Sequence, residues 1–329
     1  MTSVTVLISS AGRRVELLKA FRSALLDLSL DGRVLAADRS ARSSAFHSAD
    51  EAFLVPSSDD AEFLPAVLNL CDKQAVDLLI PTIDPELPVY AAARADFAAA
   101  GTTVAISAPE VVEIAADKGL THGWLTAHGF PTVDQATVDE VRGAPANWAY
   151  PLVVKPRRGS AGIGVTVVHD QHELALAARS GDAVVETVAP GQEYTIDALV
   201  DRSGRCICAV PRRRLEVRAG EVSKAVTVRS RELEALVVRL CNSLPGAYGP
   251  LTVQVFHDDE TGRDIVIELN ARFGGGYPLA RQAGADYPRW LLEEAAGLPS
   301  TASADGWRDG LVMLRYDAAV FVDRREADC

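Results

Sequence analysis

Apolar positions in the first hundred residues recur with two alternating spacings. Val4–Ile8 is a short run of strand type, and Val15, Leu18, Phe21, Leu25 and Leu28 line one face of a helix over Arg14–Leu28. Val34–Ala37, Phe53–Val55, Asp77–Pro81 and Thr103–Ser107 read as further strands, with helices over Ala61–Cys71 and Pro85–Ala100. Such alternation predicts a parallel sheet covered by helices over residues 1–111. From residue 112 the succession changes. A helix from Asp117-Lys118 to about His128 is stopped by Gly129-Phe130-Pro131, and then strands dominate: Pro151–Pro156, Val165–Val168, Asp182–Glu186, and an antiparallel pair Tyr194–Val200 and Arg205–Pro211. Helices are expected over Arg231–Leu244 and Asp286–Gly297, with one or two closing strands in Leu311–Val322.

The most informative pattern is in residues 250–276. Leu251–His257 and Asp264–Asn270 flank a polar segment with Gly262, a hairpin signal. A ladder centred on Thr261 sets Gln254 opposite Glu268. One face then collects Val253, Val255, Ile265, Ile267 and Leu269; the other collects Thr252, Gln254, Phe256, Val266, Glu268 and Asn270. Gln254, Glu268 and Asn270 together offer the oxygen donors that a hard cation such as Mg²⁺ takes alongside phosphate and water. The same alternation also describes an ordinary hairpin with its polar face in water. Arg272 and the Gly274–Gly276 run, a fixed cation followed by backbone open to close approach, favour a phosphate-handling site.

Other candidates lie in loops. Ligands of open α/β sheets sit beyond the carboxyl ends of the strands, where Ala11–Arg14 and Pro81–Glu86 fall. Arg13 or Arg14 suits a substrate carboxylate, and Asp84 or Glu86 an ammonium group; Asp84-Pro85-Glu86 equally fits a helix N-terminus. The first turn has a single glycine and no G-x-G-x-x-G, which argues against a nicotinamide or flavin enzyme even though Asp38 ends the second strand. Arg157–Gly164, between two strands and flanked by Lys155, is a candidate nest for phosphate. Arg212, Arg214 and Arg218 share a strand face, either a solvated basic edge or an anion site to which Lys224 adds a charge.

Composition narrows the class. The 329 residues imply about two domains, and 48% hydrophobic with 24% charged residues is an ordinary globular balance. A net charge of −12 argues against a broad nucleic-acid surface. Five cysteines do not form a disulfide framework, and Cys206 and Cys208 are expected on one strand face as buried thiols. His169 and His172 lack a third ligand and read as surface residues. No apolar stretch reaches membrane-spanning length; a cytoplasmic location is expected.

Lys118, the Lys155 strand with its glycine-rich loop, Glu186 with Gly191-Gln192-Glu193, the Val253-Gln254 strand and Ile267-Glu268-Leu269-Asn270-Ala271-Arg272 occur in the order of the ATP-grasp superfamily. The chain most resembles one half of the carbamoyl phosphate synthetase large subunit and the stand-alone carboxylate–amine ligases built on it. The resemblance implies an α/β architecture: a pre-ATP-grasp domain with a parallel sheet over 1–111, then an ATP-grasp domain over 112–329 of two α+β subdomains with antiparallel sheets, the lid at about 119–188. It implies that Lys118 and Lys155 bind ATP phosphates under a loop that includes Gly159, Ser160, Gly162 and Gly164. Glu186, Thr187 and Val188 would line the adenine slot, and Glu193 would take the ribose hydroxyls. Gln254, Glu268 and Asn270 would hold one or two Mg²⁺, and Arg272, with Lys155 and Lys224, would act on the transferred phosphoryl group. The substrates implied are a small carboxylate and an amine, joined as an amide through an acyl phosphate. Two departures stand out: Gln254 occupies a position where many members have a carboxylate, and Lys155 replaces the arginine of the synthetase half. With one grasp unit present, phosphorylation of a small acid without amine ligation, or ATP binding without turnover, are the alternative functions. A homodimer paired through the N-terminal sheet is compatible with the sequence.

Overall fold

The computed structural model describes residues 3–159, 162–178, 181–218 and 220–327. Among these, the strands form three sheets. The first contains β1 (Ser3–Ile8), β2 (Asp31–Asp38), β3 (Glu51–Leu54), β4 (Leu78–Ile80) and β5 (Thr103–Val104), all parallel, in the order β3-β2-β1-β4-β5. The direction of winding reverses between β1 and β4, so their carboxyl ends open a crevice. The loops after these two strands carry residues 9–14 and 81–86 into it. The expected helix over Pro85–Ala100 is a single-turn 3₁₀ segment, Asp84–Glu86, followed by two short helices, Leu87–Ala92 and Arg94–Ala99, that break at Ala93.

The second sheet is antiparallel and holds β6 (Gln135–Thr137), β7 (Leu152–Pro156), β8 (Thr166–Val168) and β9 (Ala183–Thr187) in the order β6-β9-β7-β8. It has a small core of its own, in which Val141, Leu152, Val154, Val168, Leu174 and Val185 pack together. The third sheet is antiparallel, ordered β14-β13-β10-β11-β12-β15, from β10 (Gln192–Val200), β11 (Cys206–Arg218), β12 (Glu221–Thr227), β13 (Gly249–Asp258), β14 (Arg263–Asn270) and β15 (Val312–Leu314). One continuous apolar cluster joins the first sheet to the third through helices Pro109–Ala116 and Arg231–Ser243; Leu79, Val112, Val237 and Val253 all belong to it. The position 111/112 falls within helix Pro109–Ala116. Closing strands were expected in Leu311–Val322, but only Val312–Leu314 pairs, along β12, and Tyr316 and Phe321 are exposed.

The hairpin follows its expected register where it matters and departs from it beyond. Thr252 lies opposite Asn270 and Gln254 opposite Glu268, but Val255 then pairs with Val266. Ile267 is therefore an extra residue, a bulge, and a one-residue offset exchanges the two faces. Val266, expected on the polar face, is fully buried with Val253 and Val255, whereas Ile267 turns to the cleft. A second irregularity, between Leu199 and Val200, separates Cys206 and Cys208. Both are buried free thiols, but they belong to different apolar clusters rather than one face.

Candidate active site

A cleft of about 850 Å³ lies between the second and third sheets and is closed at its rear by the ends of β1 and β4. Its lid wall is built on β7 and β9. Lys155 pairs across the ladder with Val184 and so stands diagonally next to Glu186, Nζ to Oε2 at 2.7 Å, with both side chains 5% exposed. Gln135 Nε2 donates to the other Glu186 oxygen at 2.7 Å. The Glu186 side chain is thus fully engaged, and Thr187 and Val188 continue the wall.

Lys118 opens helix Lys118–Ala127 and its Nζ donates to Gly159 O at 2.9 Å, tying the helix to the glycine loop. Burial pulls the Lys118 ammonium below its ordinary range, with Lys155 reinforcing the effect and Glu268 opposing it. Gly159, Gly162 and Gly164 all border the cleft; Ser160 lies outside the described residues. The arginines next to this loop do something else. Asp117 caps the helix through Gly119 and Leu120 N–H and takes Arg157 at 2.8 Å and Arg158 at 3.1 Å. Burial would raise the Asp117 carboxyl, but the Arg157 hydrogen bond and the helix amides outweigh it and hold it below its usual range.

The floor is the hairpin. Gln254, Glu268 and Asn270 share the cleft-facing side with Phe256 and Ile267. Arg272 Nη2 donates to Asn270 Oδ1 at 3.2 Å and to Asp84 Oδ2 at 2.9 Å, which joins the floor to the loop after β4. Among the described residues no group of three or more His, Cys, Asp or Glu side chains is placed to hold a metal. The cup has one carboxylate and two amides, a donor set that fits Mg²⁺ when nucleotide phosphates and water supply the remaining oxygens. At the rim, Glu193 on β10 forms an ion pair with Arg214 on β11.

At the rear, Arg212 is 1% exposed and grips Asp197 with Nε at 2.5 Å and Nη2 at 3.1 Å, leaving Nη1 buried without a partner. Burial raises the Asp197 carboxyl, and Arg212 offsets this. The Gly274–Gly276 loop rests on this bed: a Cβ on Gly276 would stand 2.3 Å from Arg212 Nη1, so only glycine fits. Arg14 borders the same space, and burial, then Arg272, lowers its guanidinium to about 10.

Three expected residues lie elsewhere. Arg13 is exposed and does not border the cleft, because the turn sends its neighbour Arg14 inward. Glu86 is fully buried and accepts Ser9 Oγ (2.7 Å), Ser10 Oγ (2.6 Å) and the amides of Thr82 (2.6 Å) and Ile83 (3.2 Å). It ties the loops after β1 and β4 together and is unavailable to a ligand ammonium. Lys224 is exposed on β12 and pairs with Glu216 at 2.7 Å, because strand alternation turns it away from the cleft. Val217 was expected opposite Arg212 and Arg214, yet irregular pairing around Glu216 brings it to the cleft with them. Glu221, which also borders the cleft, carried no signal in the sequence; it follows a turn and resembles any solvated acid.

The fold and cleft define a three-sheet α/β protein with a charged pocket between two antiparallel sheets. A model of the ATP-grasp domain matches residues 115–276, and one of the PylC-like N-terminal domain matches residues 6–105. The chain belongs to the ATP-grasp superfamily. It is 27% identical over 164 residues to the carbamoyl phosphate synthase large chain of Bifidobacterium adolescentis, covering 45% of this chain and 15% of that one. The chain spans less than half the length of the first curated relatives it matches. Its fold is similar to the biotin carboxylase domain of Hydrogenobacter thermophilus 2-oxoglutarate carboxylase, solved with MgADP and bicarbonate (TM-score 0.74, 20% identity, 94% of this chain and 73% of that one). It is also similar to an L-amino acid ligase from Bacillus licheniformis (TM-score 0.70, 20% identity, 94% and 78%). No helix among the described residues is long and apolar enough to cross a membrane.

Proposed function

We propose that this chain is an ATP-dependent carboxylate–amine ligase that forms an amide through an acyl phosphate. The observation that carries the reading is the cross-strand pair Gln254–Glu268, with Asn270 two residues on, facing the same cleft as Lys118 and Lys155. Lysines on the lid side and oxygen donors on the floor are placed to hold a triphosphate between them. Glu268 and the amide oxygens of Gln254 and Asn270 would hold Mg²⁺, which supplies neutralisation of phosphate charge.

Lys118 and Lys155 bind the phosphates, and Thr187 and Val188 form the base slot. Glu193 takes the ribose hydroxyls after parting from Arg214. A substrate carboxylate oxygen attacks the γ-phosphorus; the bond to the β–γ bridging oxygen breaks and ADP leaves with the electron pair. Arg272, anchored by Asp84 and Asn270, steadies the moving phosphoryl group. The amine nitrogen then attacks the acyl carbon, phosphate departs with its electron pair, and the nitrogen loses a proton. Small glycines over the cleft suit a loop that excludes water from the acyl phosphate. Arg212 keeps Nη1 for an anion at the rear.

The test is ADP release from Mg·ATP across a panel of carboxylates, with hydroxylamine as a trap for the acyl phosphate. Carboxylate-stimulated ADP release together with hydroxamate supports the reading. ADP release that no carboxylate stimulates, or undiminished turnover by Glu268→Ala, overturns it.

A further inference from the structure

Arg14 is a cation without an anion. It borders the cleft, donates to Thr82 O at 3.3 Å, and has no ion-pair partner among the described residues. Its cationic neighbours are matched: Arg272 by Asp84 at 2.9 Å, Arg212 by Asp197 at 2.5 Å, and Arg315 by Glu221 at 3.0 Å. Taking a charge out of water is costly unless a counter-charge meets it. A ligand that brings an anion to Arg14 completes the balance.

Gly275 locates that ligand. A Cβ on this residue would stand 3.6 Å from Arg14 Nη1 and 4.0 Å from the Glu221 carboxyl carbon. A guanidinium and a carboxylate therefore look onto one point above the Gly275 backbone, across a gap of about one carbon. Molecules with two like charges fit poorly: a dicarboxylate sets an anion against Glu221, and a diamine sets a cation against Arg14. An α-amino acid carries its carboxylate and ammonium on a single carbon and matches both sides.

We propose that the slot between Arg14 and Glu221 binds the zwitterion of an α-amino acid, carboxylate on Arg14 and ammonium on Glu221, as one substrate of the ligase. This rests on the ligase reading above and names the class of molecule that its rear subsite takes.

Calorimetry on the full chain with Mg²⁺ and a non-hydrolysable ATP analogue, titrating each proteinogenic amino acid, tests it. At least one is expected to bind, with its N-acetyl and carboxamide derivatives about tenfold weaker or worse, the loss of one charge-assisted contact. Arg14→Gln, Glu221→Gln and Gly275→Ala are each expected to weaken that amino acid about tenfold or more, with the affinity for the analogue held. Gly275→Ala meets only ordinary contacts, so it plugs the slot without disturbing the fold, and a thermal melt confirms this. The proposal falls if no amino acid binds, if the blocked derivatives bind equally well, or if Gly275→Ala binds like the wild type. Failure of the analogue to bind counts against the ligase reading instead, and repeating the amino-acid titration without nucleotide still decides the slot.

Discussion

Gly275 and Gly276 are neighbours, yet the same substitution should have opposite consequences at the two positions. A methyl on Gly276 would stand 2.3 Å from Arg212 Nη1 and 2.8 Å from Val222 Cγ1. Arg212 is 1% exposed and held at two points by Asp197, so it cannot swing out to water. The backbone at Gly276 has φ −92°, which any residue adopts, so the whole cost is steric and electrostatic. Overpacking costs about 1–3 kcal/mol, and removing one partner of a buried pair about 3–5 kcal/mol. Arg212 is displaced rather than removed, so only part of the second cost applies and Gly276→Ala should destabilise by about 2–4 kcal/mol. At Gly275 the nearest atoms are at 3.6 and 4.0 Å, and the expected change is within about 0.5 kcal/mol. Urea unfolding followed by circular dichroism measures both. A Gly276→Ala midpoint equal to wild type would mean that Arg212 yields freely, and the account of the rigid bed under this loop would be wrong.

Glu268→Ala removes the single carboxylate of the cup and should lower carboxylate-dependent ADP release by about a hundredfold or more, the scale for losing one preorganised electrostatic contact, with an unchanged circular dichroism spectrum. Lys155→Met strands Glu186 in a buried site and should destabilise by about 3–5 kcal/mol, while Lys155→Met combined with Glu186→Leu recovers much of that loss; denaturant titration of both variants checks it. Burial lifts the Glu86 carboxyl above its ordinary 4.5, so the folded chain holds this proton more tightly than the unfolded chain. Its contribution therefore weakens as pH climbs from 4.5 through the raised value, and the melting temperature of wild type should fall relative to Glu86→Gln across that interval. A constant difference across that range would contradict this.

The parallel sheet, the hairpin and the Gln254–Glu268 pairing are legible in the sequence because each rests on local periodicity and a single turn. Lys118, Lys155 and Arg272 are legible through their order along the chain. What escapes is whatever depends on irregular pairing. The extra residue at Ile267 turns Val266 into the core, and the uneven pairing near Glu216 brings Val217 to the cleft; no pattern of apolar residues announces either. Glu86 and Asp84 have the same chemistry two positions apart, yet one is sealed under Ser9 and Ser10 and the other reaches Arg272. Only the meeting of β1 and β4 decides which is which. The choice between Arg13 and Arg14 depends likewise on a turn whose shape the sequence does not specify.

The irregularity in the hairpin also insulates the cup. Because the surplus residue sits between Glu268 and the loop at Asp259–Gly262, the two ends of the ribbon keep separate registers. Lengthening or trimming the tip should therefore leave Gln254 facing Glu268, with the slack taken up at Ile267. Related chains can vary the far end of this ribbon freely, whereas removing Ile267 would even out the pleat and couple the tip directly to the magnesium ligands.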